Sequence, residues 1–185
     1  MTLGEYASNM SQCIRCSNCK FIPALQIKSQ QFSQICPSID RFNFHAYSGG
    51  GRIIIANALH QGRLEVTEEL RDIVYKCTMC GGCDISCKFF FGLEPLEILE
   101  ELRAHCVESG VGPMPQHKQF MQSVTTHNNP YGEPHEQRFA WKPRKIKVKP
   151  SSDTAYFAGC TASYRRQEIA KATVKILDKI DYNFT

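Results

Sequence analysis

The chain has 185 residues, 42% of them apolar and 22% charged, with ten cysteines and a formal net charge of +4. This length and apolar share suit one domain and part of another, and exclude a disordered tail. A mean hydropathy of −0.33, with the longest apolar runs at residues 53–56 and 89–91, excludes a membrane-spanning helix.

The start, MTLGEYASNM, carries neither the basic end nor the apolar stretch of a secretory signal. A cytoplasmic, reducing location is therefore expected. Eight of the ten cysteines fall within the first 87 residues. In a reducing compartment such a density points to metal or redox chemistry rather than disulfides. Charge divides the chain: residues 1–110 hold 10 basic and 12 acidic side chains, and residues 111–185 hold 12 and 6. A change of module near residue 110 is predicted.

The first half reads as short helices between cysteine loops. Cys13-Ile-Arg-Cys16-Ser-Asn-Cys19 is followed, after sixteen residues, by Cys36-Pro37. Residues 52–61 suit a helix with Gly62 as its stop. Thr67 suits an N-cap, with Glu68 and Glu69 opposing the dipole and Leu70, Ile73 and Val74 as the buried stripe. Next comes Cys77-Thr-Met-Cys80-Gly-Gly-Cys83-Asp-Ile-Ser-Cys87. Pro95 then opens a helix that stops at Gly110, with Leu99, Leu102 and Cys106 on one face. Cys106 is expected to be a core thiol.

Residues 111–152 are expected to form an extended, proline-punctuated, basic linker, with turns at residues 127–134. Its basic run, Lys142, Arg144, Lys145, Lys147 and Lys149, lacks an aromatic stacking platform, so a nucleic-acid role is not expected. Residues 154–159 suit a strand. Residues 163–180 suit an amphipathic helix with Ile169, Thr173, Ile176, Leu177 and Ile180 on one face. A strand, a Gly-Cys turn and a helix open an α/β unit. That unit cannot bury its faces alone, so the chain is expected to continue beyond Thr185.

Three cysteines spaced by two, then a distant fourth, is [4Fe–4S] spacing. Zinc sites bring C-x2-C pairs together in twos, whereas here a triplet occurs twice. Two-cluster ferredoxins exchange their fourth cysteines. Cys13, Cys16, Cys19 and Cys87 are therefore assigned to one cluster, and Cys77, Cys80, Cys83 and Cys36 to the other. The neighbouring cations Arg15, Lys20, Lys76 and Lys88 would raise cluster potentials. No catalytic residue is visible.

At these residues the chain resembles the iron–sulfur subunits of the heterodisulfide reductase family, of the C type or the fused D type. It also resembles the iron–sulfur subunit of anaerobic glycerol-3-phosphate dehydrogenase. The carrying stretches are ELRDIVYKCTMCGGCDISC and YSGGGRIIIANALHQGRL, within residues 10–110. The stretch TAYFAGCTASYRRQEIAKATVKIL resembles the opening of a CCG domain.

The resemblance implies a mainly α protein: an all-α dicluster ferredoxin-like domain at 1–110, a linker at 111–152 and the start of an α/β CCG-type domain at 153–185. It implies two [4Fe–4S] clusters, with Cys160 as the first cysteine of a further cluster completed beyond Thr185. It implies a component of a larger redox complex, with a flavin or iron–sulfur donor and a catalytic partner subunit. Class II benzoyl-CoA reductase complexes are among the assemblies that hold such subunits. Two features depart from the pattern: the sixteen-residue insertion before Cys36, read as a docking surface, and Lys88 where a proline usually follows the last cysteine.

Overall fold

The computed structural model describes residues 2–23, 26–146, 148 and 150–185. They fall into two units, Met1–Pro115 and Gln116–Thr185. Helices of the first are α1 (Ala7–Ser11), α2 (Gln30–Ser33), α3 (Pro37–Phe42), α4 (Gly49–His60), α5 (Glu68–Tyr75), α6 (Gly82–Phe91) and α7 (Pro95–Glu108). Among the described residues no strand forms beyond one isolated antiparallel bridge, Phe21 with Gln34.

Local chemistry sets the helix ends. Ser48 Oγ accepts from the Gly51 N–H and Thr67 Oγ1 from the Leu70 N–H, capping α4 and α5. Pro95 occupies the first turn of α7. Gly62 and Gly110 take φ of 66° and 78° just past α4 and α7, a conformation that glycine adopts without strain. Helix α6 runs through Cys87 to Phe91. A proline at position 88 would interrupt it, which gives Lys88 a structural reason.

Helices α4 and α7 form the centre of this unit. Ile53, Ala56 and Leu59 of α4 meet Ile98, Leu99, Leu102 and Cys106 of α7, joined by Leu70 and Val74 of α5 and by Leu3, Tyr6 and Met10. The spacings are those of amphipathic helices, with only one face buried. Cys106 is fully buried, as its place on the apolar face predicts.

The second unit differs from the expected linker. Residues 115–127 form a helix, α8 (Pro115–His127), and a 3-10 turn follows at His135–Phe139. Prolines punctuate this region without extending it, because Pro115 sits at a helix start, where its missing N–H costs nothing. The turn after α8 is closed by Asn129, which is fully buried. Its Nδ2 donates to the carbonyls of His127 and Glu133, and its Oδ1 accepts from the N–H groups of Tyr131 and Glu133. Lys147 and Lys149 lie outside the described residues.

Residues 154–159 alternate in exposure as a strand would but form no named strand. The Tyr156 N–H donates to the Thr185 carbonyl and the Thr185 N–H to the Thr154 carbonyl, the exchange of a parallel pair. A single turn of π-helix (Thr161–Arg165) leads into α9 (Gln167–Lys179). Ala170 and Val174 of α9 are buried with Trp141, Ile146, Ala162 and Phe184. Of the expected apolar face, Ile169, Ile176 and Ile180 are exposed. The helix turns its smaller residues inward because the aromatic rings of Trp141, Tyr156 and Phe184, packed edge to face, already fill the core.

Candidate metal centre

Two cavities of similar size, about 350 and 330 Å3, lie in the first unit. Cys36, Cys77, Cys80 and Cys83 line one, and Cys13, Cys16, Cys19 and Cys87 line the other. The described residues thus meet in the crossed sets expected from spacing. None of the eight is in a disulfide. Cys160 lies in the second unit and Cys106 in the core of the first. Among the described residues, no three histidine, cysteine or carboxylate side chains are close enough to hold a single metal ion.

The two triplet loops share one backbone shape. The residue before each middle cysteine, Arg15 or Met79, has a positive φ of 60° or 53°. The residue after it, Ser17 or Gly81, has 70° or 73°. Left-handed residues other than glycine cost about 1–2 kcal/mol each, and such backbone persists where a site requires it. This curling turns backbone N–H groups toward an enclosed anion, as at many iron–sulfur sites. In the second loop the Met79 N–H donates to Cys77 Sγ at 3.4 Å.

The fourth members come from elsewhere. Cys36 is the N-cap of α3, with Pro37 in its first turn. The insertion before it doubles back: the Ile22 N–H donates to the Ser33 carbonyl and the Ile35 N–H to the Lys20 carbonyl. Its two ends are therefore held together, and the length between them does not displace Cys36. Cys83 and Cys87 sit four apart on α6, so one helix serves both cavities.

The N-terminus of α4 separates the two sites. Gly49 lines the first cavity and Gly50 the second. The Gly50 N–H donates to Cys19 Sγ at 3.3 Å. Helix N-termini carry partial positive charge and unpaired N–H groups, which favour an anion. A β-carbon on Gly50 would stand 3.3 Å from Cys19 Sγ, so the glycine allows the approach.

Burial works against free thiolates here. It pushes Cys83 and Cys87 up to about 12, with neighbouring cysteines adding to the effect. Cys19 is also raised, chiefly by burial, against which the Gly50 N–H acts. Eight crowded thiols can ionise together only around positive centres, which is what metal binding supplies. The residues present therefore fit two cubanes.

The surrounding cations differ from expectation. Lys88 Nζ is held by Asp84, Glu94 and Glu97, at 3.1, 2.6 and 3.8 Å. Its charge is spent on carboxylates. Lys76 lies over the rings of Phe42 and Tyr47. The cation that spacing did not reveal is Arg52, fully buried in α4 and lining the cavity of Cys36, Cys77, Cys80 and Cys83. An arginine inside an apolar helix pattern, directly after an N-cap serine and three glycines, was the available signal.

Residues 9–90 match the family described as the 4Fe-4S dicluster domain. With the two cysteine-lined cavities, this defines an iron–sulfur protein whose cofactors are two [4Fe–4S] clusters. The chain is a homologue of the D-type subunit of dihydromethanophenazine:CoB–CoM heterodisulfide reductase. It is 37% identical to that protein from Methanosarcina barkeri over 117 residues, covering 63% of this chain and 28% of the relative. With its Methanosarcina mazei counterpart it shares 29% over 182 residues, 95% of this chain and 43% of the relative. The B-type subunit of fumarate reductase (CoM/CoB) from Methanothermobacter marburgensis is 25% identical over 104 residues, covering 56% and 20%. The chain thus spans less than half the length of these curated relatives. No solved structure matches it significantly. Among the described residues, no helix is long and apolar enough to cross a membrane.

Proposed function

We propose that this chain is an electron-transfer iron–sulfur component of a heterodisulfide reductase-like complex, in which two [4Fe–4S] clusters pass single electrons from a flavin or iron–sulfur donor to a catalytic partner subunit. Cys13, Cys16, Cys19 and Cys87 hold one cluster, and Cys77, Cys80, Cys83 and Cys36 hold the other. The observation that carries the reading is the grouping of eight cysteines around two cavities of similar size.

The chain's own residues bind, space and tune the redox groups. The two curled loops and the N-terminus of α4 offer N–H groups to sulfur, which stabilises the more negative, reduced state. Helix α6 fixes the separation of the sites. Apolar residues behind each cavity exclude water: Leu96 and Leu99 at one, Phe91 and Leu93 at the other.

Iron and acid-labile sulfide on anaerobically purified protein test this reading, with EPR after dithionite reduction. About eight of each per chain, with signals broadened by coupling between two reduced cubanes, is the expected result. Zinc without sulfide would overturn it.

A second reading has its own support. Cys160 Sγ lies 3.8 Å from both terminal nitrogens of Arg138. It precedes a helical turn, on a segment whose hydrogen bonds with Thr185 have the parallel pattern that opens an α/β unit. In this reading the segment 153–185 begins a CCG-type domain, and Cys160 serves a catalytic, disulfide-reducing cluster there. Iron clearly above eight per chain in a longer form, lowered by Cys160→Ser, would favour it.

A further inference from the structure

Arg52 is a fully buried cation with no acidic partner among the described residues. Its Nε and Nη2 donate to the Ile73 carbonyl at 3.0 and 2.9 Å. Nη1 donates to the Tyr47 carbonyl, and Nη2 reaches Ser38 Oγ at 3.5 Å. Ser38 Oγ in turn donates to the Lys76 carbonyl. Every partner is neutral. A buried charge held only by neutral groups is costly unless an anion lies close. The negative groups that bear on it are the sulfurs of Cys77, Cys36 and Cys83. Cys36 Sγ lies 3.8 Å from the same Tyr47 carbonyl that Arg52 holds.

The other cavity has no equivalent among the described residues. Arg15 and His45 line it, but Arg15 is exposed. His45 is pulled below its ordinary value, chiefly by burial and then by Lys20 and Arg15, which favours its neutral form. The carboxylate of Asp84 bears on Cys87. A solvated charge is screened by water and salt, whereas a buried one acts through a poorly polarisable medium.

Building on the ligand sets proposed above, we propose that Arg52 sets the order of reduction. Its charge holds the Cys36/Cys77/Cys80/Cys83 site at a higher potential than the Cys13/Cys16/Cys19/Cys87 site. An electron entering the pair therefore rests at the site beside Arg52.

The test is an EPR-monitored redox titration of the full, anaerobically purified chain, with iron and sulfide measured on each sample. Cys80→Ser and Cys16→Ser identify which signal belongs to which site, since a serine ligand alters its own cluster's signal. In the otherwise unaltered protein, the signal altered by Cys80→Ser is reduced first. In Arg52→Gln that signal's reduction constant falls at least tenfold, about 59 mV for a one-electron couple, and the other moves by less than half as much. Arg52→Lys keeps most of the wild-type value.

The inference is overturned if the signal altered by Cys80→Ser is the lower one. It is equally overturned if Arg52→Gln keeps its iron and shifts neither signal or both alike. Should Arg52→Gln lose iron, the order in the unaltered protein decides. Failure of the ligand reading looks different: the two serine variants alter the same signal, or sulfide is absent throughout.

Discussion

Gly49 has no room for a side chain beside Cys83. A β-carbon on it would stand 2.8 Å from Cys83 Cβ and 2.9 Å from its Sγ. The first turn of α4 is thus in contact with a thiolate position of the site it borders.

Gly49→Ala should therefore displace Cys83 and empty the cavity of Cys36, Cys77, Cys80 and Cys83 first. Iron would fall from about eight to about four per chain. Gly51→Ala acts differently, because its β-carbon would stand 2.0 Å from the His45 carbonyl oxygen, which is backbone and cannot give way. The expected loss is at least about 1–3 kcal/mol of stability, read by denaturant unfolding, with both clusters affected.

Two cysteine variants separate ligand from core. Cys36→Ser should lower iron content to about half, despite the long insertion before it. Cys106→Ala should leave iron and sulfide unchanged and cost about 1 kcal/mol, through a small void between α5 and α7. Metal analysis beside thermal unfolding distinguishes the two.

Cys106 also predicts a pH dependence. Burial pushes its thiol up to about 11, above the ordinary value of about 8.5. A folded-state value raised in this way contributes stability that is fully present below the ordinary value for an amine, but for a thiol the charged form is the deprotonated one, and the same linkage applies to the bound proton. The folded state holds that proton more tightly than the unfolded chain does, so stability falls as pH rises from the ordinary value to the folded-state one. Between pH 8 and 11 the unaltered protein should lose more stability than Cys106→Ala does. Equal losses in denaturant midpoints would remove Cys106 as a cause.

Thiol labelling of the cluster-loaded protein should single out Cys160. Iodoacetamide should modify it first, since it is half-exposed and borders no cluster cavity, and should spare the fully buried Cys106. Mass spectrometry of tryptic peptides reads the order directly. Labelling of Cys13 or Cys77 ahead of Cys160 would contradict it.

Much of the first unit was legible in the sequence, for local reasons. Thr67, Pro95, Gly62 and Gly110 mark their helix ends through backbone chemistry that needs no tertiary partner. The crossed cysteine sets were legible because triplet spacing dictates them. Arg52 was not, since its position in an apolar helix pattern says nothing about which carbonyls receive it. Helix α8 was missed because prolines were read as breakers, although one at a first turn starts a helix. On α9 the wider apolar stripe suggested the inner face. Packing instead chose Ala170 and Val174, which fit against rings already in place.

Cys83 and Cys87 are one helical turn apart on α6, a rise of about 6 Å along its axis. Electron tunnelling slows steeply with distance, so any wobble between two redox groups becomes noise in the rate. Loops would let that gap breathe. A hydrogen-bonded turn, pinned to α7 through Asp84, whose Oδ1 accepts from the Leu96 N–H at 3.0 Å, makes the gap a fixed length. The hop inside this chain should then keep a steady pace however its partners move.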